Sequence, residues 1–442
     1  MKNPSLGSSP HGSDFGRARP PHPVPLPQWG RGSAGQAARR SDEVLRARLF
    51  SLSPIGGEGR GEGAGHVRCI MSLFAAALLL VGCREKPATT VTATAPPSAP
   101  AKVTKAAVLS AIGTNVILPT LSAFTANAAK LAASTAQFRT NASPESLARL
   151  RAEWTDAYCA WSETQWIPDL PYFSLGVYLW PPRPASIEGA LAGSTAYDTP
   201  YMDQLGAAAT GLFALEYLLF DQTNMVRHKQ GQPVPSIPRP PPAWDLLNGA
   251  DGPRRRAYLH AVAELLARRA RELETAWLPT GGNAIAQFTG GGQASLDKLI
   301  NRLLENSERV LQEGLTQQIE LREFKTFQPE DARAMSSGSS HRAVAAAMRG
   351  VKRHYDGGDG RVGVDDYLRT LDPVLADNMQ AHFEATLKAV EAIPAAVEET
   401  VKTNRAPVQA TVEACRKLEI ALKTEVVSKL GVTLTFVSTD GD

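Results

Sequence analysis

The stretch "SPESLARLRAEWTDAYCAWSETQW", residues 143–166, carries the clearest helix signal in the chain. Ser143, Pro144 and Glu145 make a start signal. The hydroxyl can accept a free amide, the proline sits where its missing N–H costs nothing, and the acid lies at the positive end of the helix dipole. Leu147, Leu150, Trp154, Tyr158 and Trp161 then recur at three- and four-residue steps, which predicts one buried face.

The same period extends in both directions. Upstream, residues 105–138 place Val108, Ile112, Val116, Leu121, Phe124 and Leu131 near a 3.6 repeat, with Pro119 expected to kink the helix. Downstream, helical patterns cover 207–220, 254–278, 294–315, 340–355, 364–393 and 407–430. Only "GVTLTF", residues 431–436, could pass for a strand. The fold class that follows is all-α, with about eight helices in two packed bundles. The first bundle is placed at about 104–229, a Pro-rich linker loop at 230–253 and the second bundle at about 254–442.

The chain before residue 104 has a different character. Residues 1–66 are rich in Pro, Gly, Ser and Arg, with no apolar period that could build a core, and are expected to be a disordered, non-native extension produced by a misassigned start. Residues 67–83, "VRCIMSLFAAALLLVGC", hold an apolar run from Ile70 to Val81 that is too short to span a bilayer but suits an export signal. Its end, Leu80-Val81-Gly82-Cys83, resembles the lipobox of bacterial lipoproteins, which implies lipidation of Cys83. Residues 84–103 read as a Pro/Ala/Thr tether. Arg84 after the cysteine, in place of a retention Asp, points to the periplasmic face of the outer membrane of a Gram-negative bacterium, with the membrane as partner through the lipid.

Charge excludes one class of partner. Of the formal net +3, Met1 to Cys83 holds 10 Lys and Arg against 5 Asp and Glu, leaving 37 against 39 in the rest. No basic stripe remains to hold nucleic acid. Cys159 and Cys415 could pair in an oxidising compartment, but each sits in a helical run where free buried cysteine is common.

Familiar catalytic motifs are absent: there is no His-Glu-x-x-His, P-loop, Gly-x-Ser-x-Gly or Cys-x-x-Cys. The "GGDG" at 357–360 reads as a turn before a calcium loop, and "SSGSS" at 336–340 as a helix-capping loop before an anion or nucleophile site. His228, His260, His341, His354 and His382 never pair at helical spacing. What stands out is Glu216, a lone acid in the apolar stretch "GLFALEYLLF", residues 211–220, with Asp156 and Glu163 on the preceding strong helix. Such an acid needs a hydrogen-bond partner, an opposite charge or a metal. Carboxylates projecting from facing helices are one way bundles build metal sites.

Five segments in order, "NVILPTLSAF", "WTDAYCAWSETQW", "GVYLWPPRPASIEGAL", "GLFALEYLLF" and "KLGVTLTFVSTDGD", resemble the imelysin-like bacterial lipoproteins. The resemblance implies an all-helical fold of two similar halves, an internal duplication, with a site built on a Gly-x-His-x-x-Glu motif. It also implies a link to metallopeptidases and to iron uptake. Here the motif falls on Gly211, Phe213 and Glu216, so the histidine is a phenylalanine with no lone pair for a metal. An oxygen set of Glu216, Glu163 and Asp156 would suit iron, calcium or magnesium better than zinc, and a small ligand or protein partner fits equally well. The expectation is a non-catalytic binding lipoprotein linked to metal, chiefly iron, acquisition. The alternatives are a metallopeptidase or an interaction lipoprotein with a degenerate site.

Overall fold

A helix with a proline near its middle opens the fold. The computed structural model describes residues 102–171, 174–179, 182–222, 241–309, 334 and 336–435, all within the unit Ala93–Asp442, and no strand occurs among them. Helix α1 spans Lys105–Thr140 and carries a π-helical turn at Gly113–Ile117. Pro119 has no N–H and its ring would collide with the carbonyl four residues back; widening the preceding turn absorbs both problems, so the expected kink takes the form of a π turn. By length and composition α1 could cross a membrane, but Val108, Leu109, Ile112, Ile117 and Phe124 are fully buried in the core.

Helix α2, Pro144–Thr164, starts as its sequence dictates. Ser143 Oγ accepts the Ser146 amide at 3.2 Å and the Ser143 amide donates to Ser146 Oγ at 2.8 Å, a reciprocal cap. Its five face residues are all buried, each large apolar side chain adding on the order of 2 kcal/mol. Three short helices follow: α3 (Leu175–Tyr178), α4 (Pro184–Ala192) and α5 (Thr199–Gln204). They lead to α6, Gly211–Leu219, then α7, Ala243–Asn248, and the long α8, Gly252–Trp277. Asp221 Oδ1 accepts the Ala243 amide at 2.8 Å, so the chain leaves and returns at one point.

The remaining helices are α9 (Ala284–Gly290), α10 (Gly292–Arg309), α11 (Ser340–Asp356), α12 (Val364–Leu371), α13 (Pro373–Glu391), α14 (Val397–Thr403) and α15 (Ala406–Ala421). A second π turn, Leu422–Val426, follows α15 directly and leads into a last helical turn, Val427–Leu430. The expected single helix over 364–393 breaks because Asp372 caps a new helix with Pro373 at its first position, its carboxylate accepting the Leu375 amide at 3.1 Å.

Packing places the halves differently from the sequence division at 254. α8 lies chiefly on α1 and also on α6, so it completes the first bundle of α1, α2, α6 and α8. The second bundle is α11, α12, α13 and α15, and α11 also packs along α2. Residues 243–248 of the expected linker loop are helical; 223–240 lie outside the described residues, as do 1–101 with Cys83, and Phe436 of the strand candidate. Residues 431–435 form no strand. Cys159 and Cys415 are both free. "GGDG" is a turn, with Gly357, Gly358, Asp359 and Gly360 all at positive φ and Gly357 ending α11.

Candidate functional site: Glu216 and the serine turn

Gly211 explains itself in backbone terms. Its φ is +79°, and a Cβ there would stand 2.5 Å from the carbonyl oxygens of Gly176 and Val177, so only glycine allows α3 to pass this close. Arg269 fastens the crossing, donating to the Gly176 carbonyl at 2.6 Å and to Thr210 Oγ1 at 3.2 Å. α2 holds both ends of α6: Trp154 Nε1 donates to the Leu212 carbonyl at 2.8 Å and Arg151 Nε to the Leu219 carbonyl at 2.7 Å. Phe213 is buried edge-on to Tyr158, with ring centroids 5.4 Å apart. Glu216, one turn later on the same face, is also buried.

Glu216 meets the turn that precedes α11. The Ser337 amide donates to Glu216 Oε1 at 2.9 Å. Each of the other serines has its own partner. Ser336 Oγ donates to Gln222 Oε1 at 3.3 Å, and the hydroxyls of Ser339 and Thr155 lie 3.2 Å apart. Ser340 Oγ donates to Glu398 Oε2 at 2.6 Å and accepts the Val397 amide at 2.9 Å. The turn is therefore both a helix lead-in and a hydrogen-bonding cradle for the protein's own carboxyl group.

The pair of acids sets the electrostatics. Burial pushes the Glu216 carboxyl up to about 7, against the stabilising Ser337 amide, and the charge of Glu398 adds to the rise. Glu398, itself buried, is raised by the same cause, with the Ser340 hydroxyl opposing. No ion pair reaches either carboxylate among the described residues. Lys402, whose charge partly offsets the rise at Glu398, is itself paired with Glu399.

The other two acids read from the sequence do not join Glu216. Asp156 stands 3.7 Å from Arg342, and Glu163 accepts from Arg353 at 3.0 Å with Arg349 at 3.8 Å, all on α11. The expected three-acid set thus separates, because guanidiniums on α11 offer a cheaper way to bury part of a carboxylate than a shared metal would. The residues present do not fit a resident metal. Phe213 offers no lone pair, Glu216 Oε1 is taken by an N–H, and no group of three His, Cys, Asp or Glu able to hold an ion occurs among the described residues. Gln222, Thr155 and Glu398 carry no sequence signal that marks them for this cluster; only the serine run stood out.

These features define an all-helical two-bundle protein whose halves meet at a buried carboxylate held by a serine turn. The chain belongs to the imelysin family: that family's model, which carries a peptidase label, matches residues 117–423. Two solved structures are similar in fold. One is a candidate iron-regulated protein A precursor from Parabacteroides distasonis ATCC 8503, with TM-score 0.59 and 17% identity over 76% of this chain and 97% of that one. The other is an imelysin-like protein from Psychrobacter arcticum 273-4, with TM-score 0.58 and 16% identity over 75% and 97%. A search of curated proteins finds no match.

Proposed function

We propose that this chain is a non-catalytic binding lipoprotein of the imelysin family, anchored through Cys83 at the periplasmic face of the outer membrane and serving an iron-related task. One observation carries the non-catalytic part: the motif's imidazole position is filled by Phe213, packed on Tyr158, while the surviving Glu216 binds the Ser337 amide. A catalytic zinc needs three protein ligands and an open water position, and this geometry gathers two carboxylates, Glu216 and Glu398, each already taken by the serine turn. The iron link draws on the description of one similar structure as iron-regulated. The anchor draws on the sequence around Cys83.

The test uses protein from Arg84 onward without a metal-binding tag. The expected result is substoichiometric zinc and no chelator-sensitive cleavage of unfolded protein substrates. Cleavage that disappears in Glu216→Gln would replace this reading with a metallopeptidase. For the anchor, Cys83→Ser is expected to move the full chain from the membrane to the soluble fraction, and a strain lacking the protein to grow more slowly under iron limitation only.

A further inference from the structure

α2 and α11 run parallel in a fixed register. Thr155 meets Ser339, Asp156 meets Arg342, Glu163 meets Arg349, and Trp166 lies on Gly350, where a Cβ would come within 2.5 Å of the indole. In that register Cys159 faces Ala345, two small side chains opposite each other. Beside them lies a solvent-open cavity of about 260 Å³, lined also by Val390, Glu391 and Ile393. Its volume is roughly that of eight or nine waters at about 30 Å³ each.

The two guanidiniums bordering this cavity make looser contacts than Arg353 on the same helix. Arg353, one turn on, donates to Glu163 at 3.0 Å, and Arg151, Arg254, Arg255 and Arg269 each donate to protein oxygens. Arg342 and Arg349 donate no hydrogen bond among the described residues. Asp156, Glu163 and Glu391 stand 3.7, 3.8 and 3.9 Å from them, close enough to neutralise and too far to occupy the donors. The thiol of Cys159 feels the two arginines ahead of Asp156 and Glu163, though its burial outweighs both and pushes it up to about 11, so it is an inert apolar wall. His341, also at the wall, has its basicity lowered by burial and by the Arg342 charge.

We propose that this cavity binds a short organic dicarboxylate, one acid group on Arg342, the other on Arg349, and the carbon chain over Cys159 and Ala345. The arginines are seven residues apart, roughly 10 Å along the helix, so they address the two ends of one extended ligand. Arginine matches a carboxylate with two parallel N–H donors, and a ligand carboxylate at hydrogen-bond distance would compete with Asp156, Glu163 and Glu391, which reach these donors only at 3.7–3.9 Å. The ligand class deepens the binding reading above and rests on it.

The experiment is calorimetric titration of protein from Arg84 onward with succinate and glutarate, with acetate as the single-acid control. One-to-one saturable binding of a dicarboxylate is expected, at least tenfold tighter than acetate, since a lost charge-assisted pair costs roughly a factor of ten or more. Ala345→Leu fills the void and is expected to abolish binding while holding or raising the melting temperature. If that variant fails to fold, Arg349→Gln decides, with an expected loss of about tenfold or more. Absence of saturable dicarboxylate binding, or binding unchanged in a folded Ala345→Leu or Arg349→Gln, overturns the proposal. That result would leave the non-catalytic reading standing, because the cleavage assay alone decides it.

Discussion

Ser337 donates its amide to Glu216 at 2.9 Å across 121 residues of chain, and this bond joins the first bundle to the turn that starts α11. It satisfies half of a carboxylate that burial would otherwise keep neutral. The proton on Glu216 therefore titrates near neutrality, with consequences for stability.

The sign follows from the raised value. With a folded pKa of about 7 against an ordinary 4.5, the native state holds the proton that the unfolded state has released. The contribution is fully present below about pH 4.5 and is lost as pH rises through 7, on the order of 3 kcal/mol in all. His354, buried and lowered to about 4, acts oppositely: its contribution is full above 6.5 and lost as pH falls towards 4. The two slopes oppose each other between pH 4.5 and 6.5, so wild-type stability alone hides both. Denaturant melts of wild type and Glu216→Gln across pH 4 to 8 are expected to diverge, the variant gaining relative stability as pH rises. Parallel profiles would show that Glu216 does not hold its proton.

Phe213→His restores the family's motif in letters only. An imidazole would replace a ring packed on Tyr158 with a smaller polar group lacking a partner, at a cost of about 2 kcal/mol or more. Thermal melting is expected to fall accordingly, and zinc titration to show no new tight site, because Glu216 remains bound to Ser337. A stoichiometric zinc site in this variant would mean that the turn releases Glu216 readily.

Gly211→Ala tests the crossing of α6 and α3. A methyl group 2.5 Å from two carbonyl oxygens, on a residue with φ of +79°, is expected to cost at least about 2 kcal/mol. Gly189→Ala in α4 is the control: nothing lies within 4 Å of its Cβ, and a helix interior favours alanine, so it is expected to be neutral or to stabilise by about 0.5–1 kcal/mol.

Much of the fold is legible in the sequence because helical period and caps are local signals. Ser143-Pro144 and the face from Leu147 to Trp161 transfer directly to α2. The sequence misplaces α8, since an amphipathic helix declares that it has a partner without naming it; only packing shows that α8 covers α1. The site is legible in half. Glu216 is visible as an acid among apolar residues, but its partner is a backbone amide, which no side-chain pattern encodes. Glu398 lies in the unremarkable pair Glu398-Glu399 and becomes part of the cluster only when α14 folds against Ser340. Asp156 and Glu163 carry the right chemistry for a metal and face the wrong neighbours, a matter of helix rotation that spacing within α2 cannot reveal.

The clasp between Asp221 and Ala243 uncouples the length of the intervening chain from the position of the site. With both ends of the intervening chain pinned, doubling its length adds only roughly 0.6 kcal/mol of closure entropy. A change in the length of the chain between them is thus expected to leave α6 and its carboxylate in position.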